Sequence, residues 1–275
     1  MNRAIPLCTI VLVALVAAGG AVAAPPTGTP GWVNYPAPTD IGPATRQQVQ
    51  GTLSLSTLDC VFSFSGSVAP GSPGVQWAQV AYDPSTCRAV YLVGTAKASA
   101  APAAPASGVA VSATSGAQTT PTPRAATSIA AAAASSTSAA YLRTWYEDPA
   151  TIDVNSLRED DEWTHNGSCN TSFQWKRNAA WFTPSGWYLQ YANDSWGFSC
   201  ANAVINSDAK MENDSFCWAF NDPENVWSVY NYNHDVVGKA DGSYTYEYND
   251  YVNSTLSICY RLLNHRAGTG FETPW

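Results

Sequence analysis

The chain has 275 residues, a formal net charge of −8 and only 13 lysines and arginines. A chain with this acidic balance carries no basic patch, so we expect neither a nucleic-acid partner nor binding to an anionic membrane surface. Beyond the first two dozen residues no segment is apolar enough to span a bilayer, so we also expect no membrane insertion.

Residues 1–23 have the three parts of a secretory signal peptide. Arg3 supplies the positive charge, residues 10–18 form the apolar run, and Ala21-Val22-Ala23 fits the small-residue cleavage rule. We therefore expect a secreted, extracellular protein whose mature chain begins at Ala24.

Six cysteines remain after this leader, and an even number in an exported protein indicates disulfides. No Cys-x-x-Cys pair and no histidine at ligand spacing offers a metal or redox alternative, so we expect no metal and no cofactor. Two cysteines precede a long low-complexity stretch and four follow it. We predict a Cys60–Cys87 bridge between the first two cysteines. The last four cysteines can pair in three ways, of which we favour Cys169–Cys200 with Cys217–Cys259.

A small β-rich disulfide block is predicted over residues 49–95, after an extended Pro/Thr/Gly-rich segment at residues 24–48. Apolar runs and a turn cluster indicate four short strands, at residues 52–56, 61–65, 75–82 and 89–93. A block of this size buries little surface, so whether it folds alone or docks on the following domain stays open.

Residues 96–140 consist almost wholly of Ala, Ser, Thr, Pro and Gly. This composition is typical of a linker. The alternative is an extended surface loop inside one composite domain.

Residues 141–275 hold nine of the eleven tryptophans and eleven of the fourteen tyrosines. Short β-branched and aromatic runs alternate there with Asn, Asp, Gly and Ser, so we predict an antiparallel β-sandwich or meander of about eight strands. The fold class is therefore all-β. Its clearest unit is a hairpin, in which a two-residue turn at Asp241-Gly242 would place Lys239 opposite Tyr244.

Two short motifs in this domain, Trp145-Tyr146-Glu147-Asp148-Pro149 and Ile152-Asp153-Val154-Asn155, resemble a family of uncharacterised secreted actinobacterial proteins. The resemblance covers mainly residues 141–265, with a fainter match at residues 79–84. It implies no activity, and no functional residues can be carried over from it.

An acidic run at residues 159–162 provides the candidates for catalysis, since the chain has no Gly-x-Ser-x-Gly elbow and no His-Glu-x-x-His helix. On a strand, Glu159, Asp161 and Trp163 share one face, with the two carboxylates about 7 Å apart. Glycosidase carboxylate pairs span about 5–9.5 Å, so this geometry permits an acid/base pair beside a sugar-stacking ring. The alternative is a solvated or edge strand protected by charge.

Aromatic side chains are the candidates for binding, because flat rings stack on the apolar faces of sugars. The alternative is that the same rings fill the core of the sheet, since aromatic residues have high β-propensity. The candidate residues are Tyr244, Tyr246, Tyr248, Trp175, Trp187 and Trp196.

Five Asn-x-Ser/Thr sequons are candidate N-glycosylation sites, which would mark surface loops in a eukaryotic secretory pathway. They begin at Asn166, Asn170, Asn193, Asn213 and Asn253.

These observations favour a non-catalytic extracellular binding module whose partner is a glycan or cell-wall polymer. One alternative is a glycan-active hydrolase that uses the carboxylate pair. The other is a structural or protein-interaction role at the cell exterior. The ligand and the oligomeric state are left open.

Overall fold

The computed structural model describes most of the chain, namely residues 31–55, 59–96, 109–114, 118–119, 134–148, 152–213, 227–253 and 263–275. Within these ranges the chain forms β-strands and one short 3₁₀ turn, which confirms the predicted all-β fold. No helix there is long and apolar enough to cross a membrane. The predicted signal peptide lies outside the described residues.

The strands follow one another along the chain as β1 (Val33–Asn34), β2 (Ile41–Gln50), β3 (Thr52–Leu53), β4 (Asp59–Val68), β5 (Val75–Asp83), β6 (Arg88–Ala96), β7 (Val109–Thr114), β8 (Gln118–Thr119), β9 (Ser136–Glu147), β10 (Asp153–His165), β11 (Asn170–Trp181), β12 (Trp187–Phe198), β13 (Asn202–Asn213), β14 (Trp227–Lys239), β15 (Tyr244–Asn253) and β16 (Asn264–Glu272). The 3₁₀ turn, Thr183–Ser185, joins β11 to β12.

Two antiparallel sheets pack face to face as a sandwich. Sheet A has the order β2-β6-β5-β16-β9-β10-β11-β7, with β1 on β5 and β8 on β11, and sheet B has the order β12-β13-β14-β15-β4-β3. In β10, for example, alternate residues face the other sheet, as the period of a strand requires. Strand β10 of sheet A lies across β13 and β14 of sheet B.

Strands from both predicted blocks occur side by side in both sheets. The last strand, β16, pairs with β5 on one side and β9 on the other, and β4 pairs with β15. The block at residues 49–95 is therefore docked into the sheets of the aromatic domain. Four short strands were predicted in it, and β3, β4, β5 and β6 occupy those positions.

The predicted boundaries of the low-complexity segments differ from the sheet boundaries. Strand β2 begins at Ile41, inside the segment expected to be extended, and β9 begins at Ser136, inside the expected linker. Within that same stretch β7 and β8 pair with β11. Main-chain hydrogen bonds need no particular side chains, so a composition of Ala, Ser and Thr can complete a sheet edge.

The core between the sheets is an aromatic cluster. Phe64 stacks on Tyr248 with ring centroids 4.8 Å apart and meets Tyr91 edge to face at 4.9 Å. Trp77 from sheet A contacts both Tyr246 and Tyr248 of sheet B. Aromatic pairs in these arrangements contribute about 0.5–1.5 kcal/mol each beyond the area they bury.

Two of the predicted disulfides are confirmed, and each ties one sheet to the other. Cys60 on β4 is bonded to Cys87 at the start of β6, and Cys169 before β11 is bonded to Cys200 between β12 and β13. The third predicted bridge, Cys217–Cys259, lies outside the described residues.

The hairpin between β14 and β15 forms where it was predicted, with a longer turn. Lys239 donates its backbone N–H to the Ser243 carbonyl, which leaves three residues in the loop, and Gly242 has a φ of 86°. A three-residue loop that ends in a left-handed glycine is the usual alternative to a two-residue turn. Because the loop is longer, Gly238 and not Lys239 lies opposite Tyr244.

We expect a chain that begins at residue 134 not to fold cooperatively, because it lacks β4 and β5, which pair with β15 and β16. Near-ultraviolet circular dichroism and urea unfolding, each compared with the mature chain, measure this. A cooperative transition in the shortened chain at the midpoint of the mature chain would show that residues 141–275 are an independent domain.

Candidate functional site

The predicted carboxylate pair is enclosed between the sheets. Glu159 and Asp161 share one face of β10 with Trp163, as predicted, but all three side chains have no exposure to solvent. Strand β10 is central, with β9 and β11 on its two sides, so the alternative of a solvated or edge strand is also wrong. Neither carboxylate can reach a polymer outside the sandwich.

Burial makes both of these groups poor anions. Desolvation raises the pKa of Glu159 well above its usual range, with Asp235 and Asp161 adding to the shift and the nearby Ser207 hydroxyl opposing it. Desolvation likewise raises the pKa of Asp161 well above its usual range, against the nearby backbone of Gly238. A carboxyl group that has lost its hydration is most stable in the neutral form.

The tyrosine row on β15 is also buried, so its proposed role as an exposed stacking platform is wrong. Tyr244, Tyr246 and Tyr248 do share one face, but that face is turned to sheet A and the most accessible of the three is 8% exposed. The Tyr244 hydroxyl is bonded to the Thr269 hydroxyl at 3.0 Å. These rings belong to the core because sheet A covers this face of β15, with Trp77 in contact with Tyr246 and Tyr248.

The three candidate tryptophans differ in their exposure to solvent. Trp175 on β11 and Trp187 at the start of β12 are buried, so they cannot stack on a ligand at the surface. Trp196 is 47% exposed near the end of β12, which is the edge strand of sheet B.

Two of the candidate glycosylation sites are inaccessible in the folded chain. Asn170 is buried and its amide donates a hydrogen bond to the Gly238 carbonyl at 3.1 Å, and Asn213 is buried as well. Asn193 is exposed and Asn166 is half-buried. The side chain of Asn253 is outside the described part of the structure.

The outer face of sheet A carries a pocket of about 440 Å³, which we call the arginine pocket. It is formed by outward-facing residues of β9, β10 and β11 together with the end of β16, and its volume is within the range of small-ligand sites. Its lining residues are Arg143, Ser156, Arg158, Asp160, Lys176, Asn178, Ala180, Glu272, Thr273 and Trp275.

Arg143 forms one wall of the pocket with part of its hydrogen-bonding capacity unused. Its Nη2 atom is 2.8 Å from Asp153, and its guanidinium lies 4.7 Å from the centre of the Trp145 ring. Its Nη1 atom is buried and has no hydrogen-bond partner among the described residues. A guanidinium has five donors, so this one retains a free N–H group.

Arg158 joins two carboxyl groups across the pocket. Its Nε atom donates to Asp160 at 2.6 Å and its Nη2 atom to Glu272 at 2.5 Å. Burial and the neighbouring Asp160 raise the pKa of Glu272 to about 7, although Arg158 opposes the shift. Glu272 therefore exchanges a proton near neutral pH.

Lys176 and Trp275 complete the pocket at its rim. The Lys176 ammonium lies 3.6 Å from the centre of the Trp275 ring, and this ring is 40% exposed. The backbone N–H of Trp275 donates to Glu162 at 2.6 Å, and Gln174 donates to its carbonyl at 3.3 Å. These bonds hold the aromatic ring in place beside the pocket.

A second cluster of polar side chains is enclosed in the core, where a ligand cannot reach it. Asp250 accepts a hydrogen bond from Tyr91 at 2.9 Å and lies 2.5 Å from His265. His234 is close by, and burial lowers its pKa to about 3, so its ring is neutral at physiological pH. All four side chains are buried, which indicates a structural role.

No family model matches the chain, and no curated protein or solved structure matches it. Among the described residues, no group of three His, Cys, Asp or Glu side chains is placed to hold a metal ion. Function must therefore be inferred from the arginine pocket itself.

Sequence reasoning missed the pocket, although the signal was present in β9 and β10. Arg158 and Asp160 alternate with the acidic residues that were selected, and they point to the opposite face of the sheet. Choosing between the faces needs knowledge of which one the second sheet covers. Glu272 and Trp275 reach the pocket only through the pairing of β16 with β9, for which the sequence has no local signal.

We expect the Glu159→Gln variant to lose a pH dependence of stability. A glutamate in the unfolded chain has a pKa of about 4.3. Above that pH the folded protein still holds a proton on Glu159 that the unfolded chain has lost. The free energy of unfolding then falls by about 1.4 kcal/mol per pH unit for this group until its native pKa is reached. Urea unfolding at about pH 5 and about pH 7 measures the slope for the native chain and the variant.

The matched control is Glu247→Gln, which replaces an exposed glutamate. It should keep the slope of the native chain. An unchanged slope in Glu159→Gln would show that Glu159 is already ionised in the folded protein.

Proposed function

We propose that this protein is an exported, non-catalytic binding module, and that the arginine pocket binds a glycan or cell-wall polymer. The observation that carries the proposal is the pocket itself, in which an exposed aromatic ring lies beside cationic and neutral polar side chains on a sheet face. Sites of this composition bind sugars, because the ring stacks on an apolar sugar face and the polar groups bond hydroxyls.

The arginine side chains of the pocket are fixed by their neighbours, which favours a role in binding a ligand. Arg143 and Arg158 extend from neighbouring central strands, and each is held by an ion pair and by an aromatic ring. Binding groups that are fixed before the ligand arrives lose little conformational entropy on association. A purely structural role would give no reason for such a pocket.

The carboxyl groups of the pocket argue against the hydrolase alternative. Asp160 and Glu272 share Arg158, whose guanidinium donates to both carboxyl groups. Glycosidase carboxyl groups stand about 5–9.5 Å apart, with the scissile bond between them. Two carboxyl groups that are bonded to the same guanidinium are not free to act on opposite sides of a glycosidic oxygen, so binding is the better-supported function.

Secretion is part of this proposal. The two disulfides fit an oxidising compartment such as the cell exterior, and the leader at residues 1–23 is the expected route of export.

We expect the oxidised mature protein to be depleted from solution by at least one of insoluble cellulose, chitin, xylan and peptidoglycan, without release of soluble sugar. The Trp275→Ala variant should bind about tenfold more weakly, because an aromatic anchor at a binding site contributes at least about 1.4 kcal/mol. The measurement is a depletion isotherm combined with a reducing-sugar assay.

Trp196→Ala is the matched control, since it removes an equally exposed indole at the edge of the other sheet. It should bind like the native chain. Release of sugar would favour the hydrolase, whereas absence of depletion on every polymer would overturn the proposal in favour of a structural or protein-binding role.

A further inference from the structure

The charges of the arginine pocket balance only while Glu272 is ionised. Arg143, Arg158 and Lys176 face three carboxyl groups, those of Asp153, Asp160 and Glu272. With all three ionised no net charge is left, and protonation of Glu272 leaves one positive charge in a chain whose overall charge is negative. A local excess of positive charge on an acidic protein attracts an anionic group of a ligand.

The unpaired N–H group of Arg143 also favours an anionic ligand. The Arg143 side chain is only 4% exposed, and its Nη1 atom has no hydrogen-bond partner in the described ranges. Leaving such a donor unpaired and buried costs free energy, which a bound acceptor would recover. The planar guanidinium matches a carboxylate more closely than any neutral acceptor.

We propose that the arginine pocket binds a carboxylate-bearing glycan through Arg143 and Lys176, and that protonation of Glu272 strengthens this binding. This inference rests on the proposed binding function. It adds to that function the chemical class of the ligand and the dependence of binding on pH. The carboxylate has two possible sources, a uronic acid in a polysaccharide or the lactyl and peptide carboxylates of peptidoglycan, and both present the same group to the pocket.

The control by pH follows from the groups packed around Glu272. These groups are Asp160 and Arg158 on β10, Lys176 on β11 and Tyr141 on β9. The Glu272 carboxylate competes with a ligand for Arg158 and repels an incoming anion.

When Glu272 takes up a proton, the charge of the pocket rises from about zero to about plus one. The pKa of Glu272 is about 7. Affinity for the carboxylate should therefore be higher below this pH and should fall as the pH rises through it.

The test is titration calorimetry of the mature protein with an oligogalacturonate, at about pH 5.5 and about pH 8, where the uronate is ionised at both values. The native chain should bind about fivefold more tightly at the lower pH, the effect expected from one partly screened charge. Glu272→Gln should bind equally at both pH values, with the affinity that the native chain has at the lower one.

Three further variants locate the contact. Arg143→Met should weaken binding about tenfold at both pH values. Lys176→Met, which replaces a half-buried side chain and leaves the Asp153 ion pair intact, should weaken it about threefold. Arg46→Met, on the edge strand β2 of the same sheet, is the matched control and should bind like the native chain.

The methyl ester of the same oligogalacturonate separates charge from sugar recognition, and it should bind at least about tenfold more weakly than the free acid. Equal binding of ester and acid, or an affinity independent of pH, would overturn the inference. If the protein still bound neutral cellulose or xylan, the proposed function would stand and only the ligand class would fall. Muramyl-peptide fragments, with and without free carboxylates, form the second arm, and preference for them over the uronate would assign the carboxylate to peptidoglycan.

Discussion

The position of β16 between β5 and β9 is the constraint on which the rest of this structure depends. This strand forms backbone hydrogen bonds with the first block on one side and with the aromatic domain on the other. It places Arg266 over the Trp145 ring and Glu272 against Arg158, and the residues after it bring Trp275 to Lys176. A strand that completes the larger sheet thus also completes the pocket.

Strand β10 shows how the two-residue period divides one acidic segment between two environments. Glu159 and Asp161 point inward and lose their water, whereas Arg158 and Asp160 point outward and form an ion pair at the pocket. Glu159, Asp160 and Asp161 carry the same carboxyl group. Their surroundings decide which carboxyl groups stay neutral and which form ion pairs.

The sequence predicted the class of fold well because strand periodicity, turn residues and an even number of cysteines are local signals. The position of the hairpin, both described disulfides and the shared face of Tyr244 and Tyr248 were predicted correctly, whereas the length of the hairpin loop and its register were not. Sheet order was beyond the sequence, because β5 and β16 pair across most of the length of the chain. The candidate site failed for the same reason. Alternation shows which residues share a face, but only the position of the second sheet shows whether that face is core or surface.

The interleaving of the two blocks has a consequence for a protein exposed to proteases. Each described disulfide closes within its own block, so neither spans residues 97–133. A peptidase that cut the chain there would nevertheless produce two pieces joined along the full length of β4 and β15 and along β5 and β16. The hydrogen bonds between these strands would then hold the two pieces together in place of the cut peptide bond. The nicked protein would remain one particle in solution and would separate only when the sheets themselves came apart.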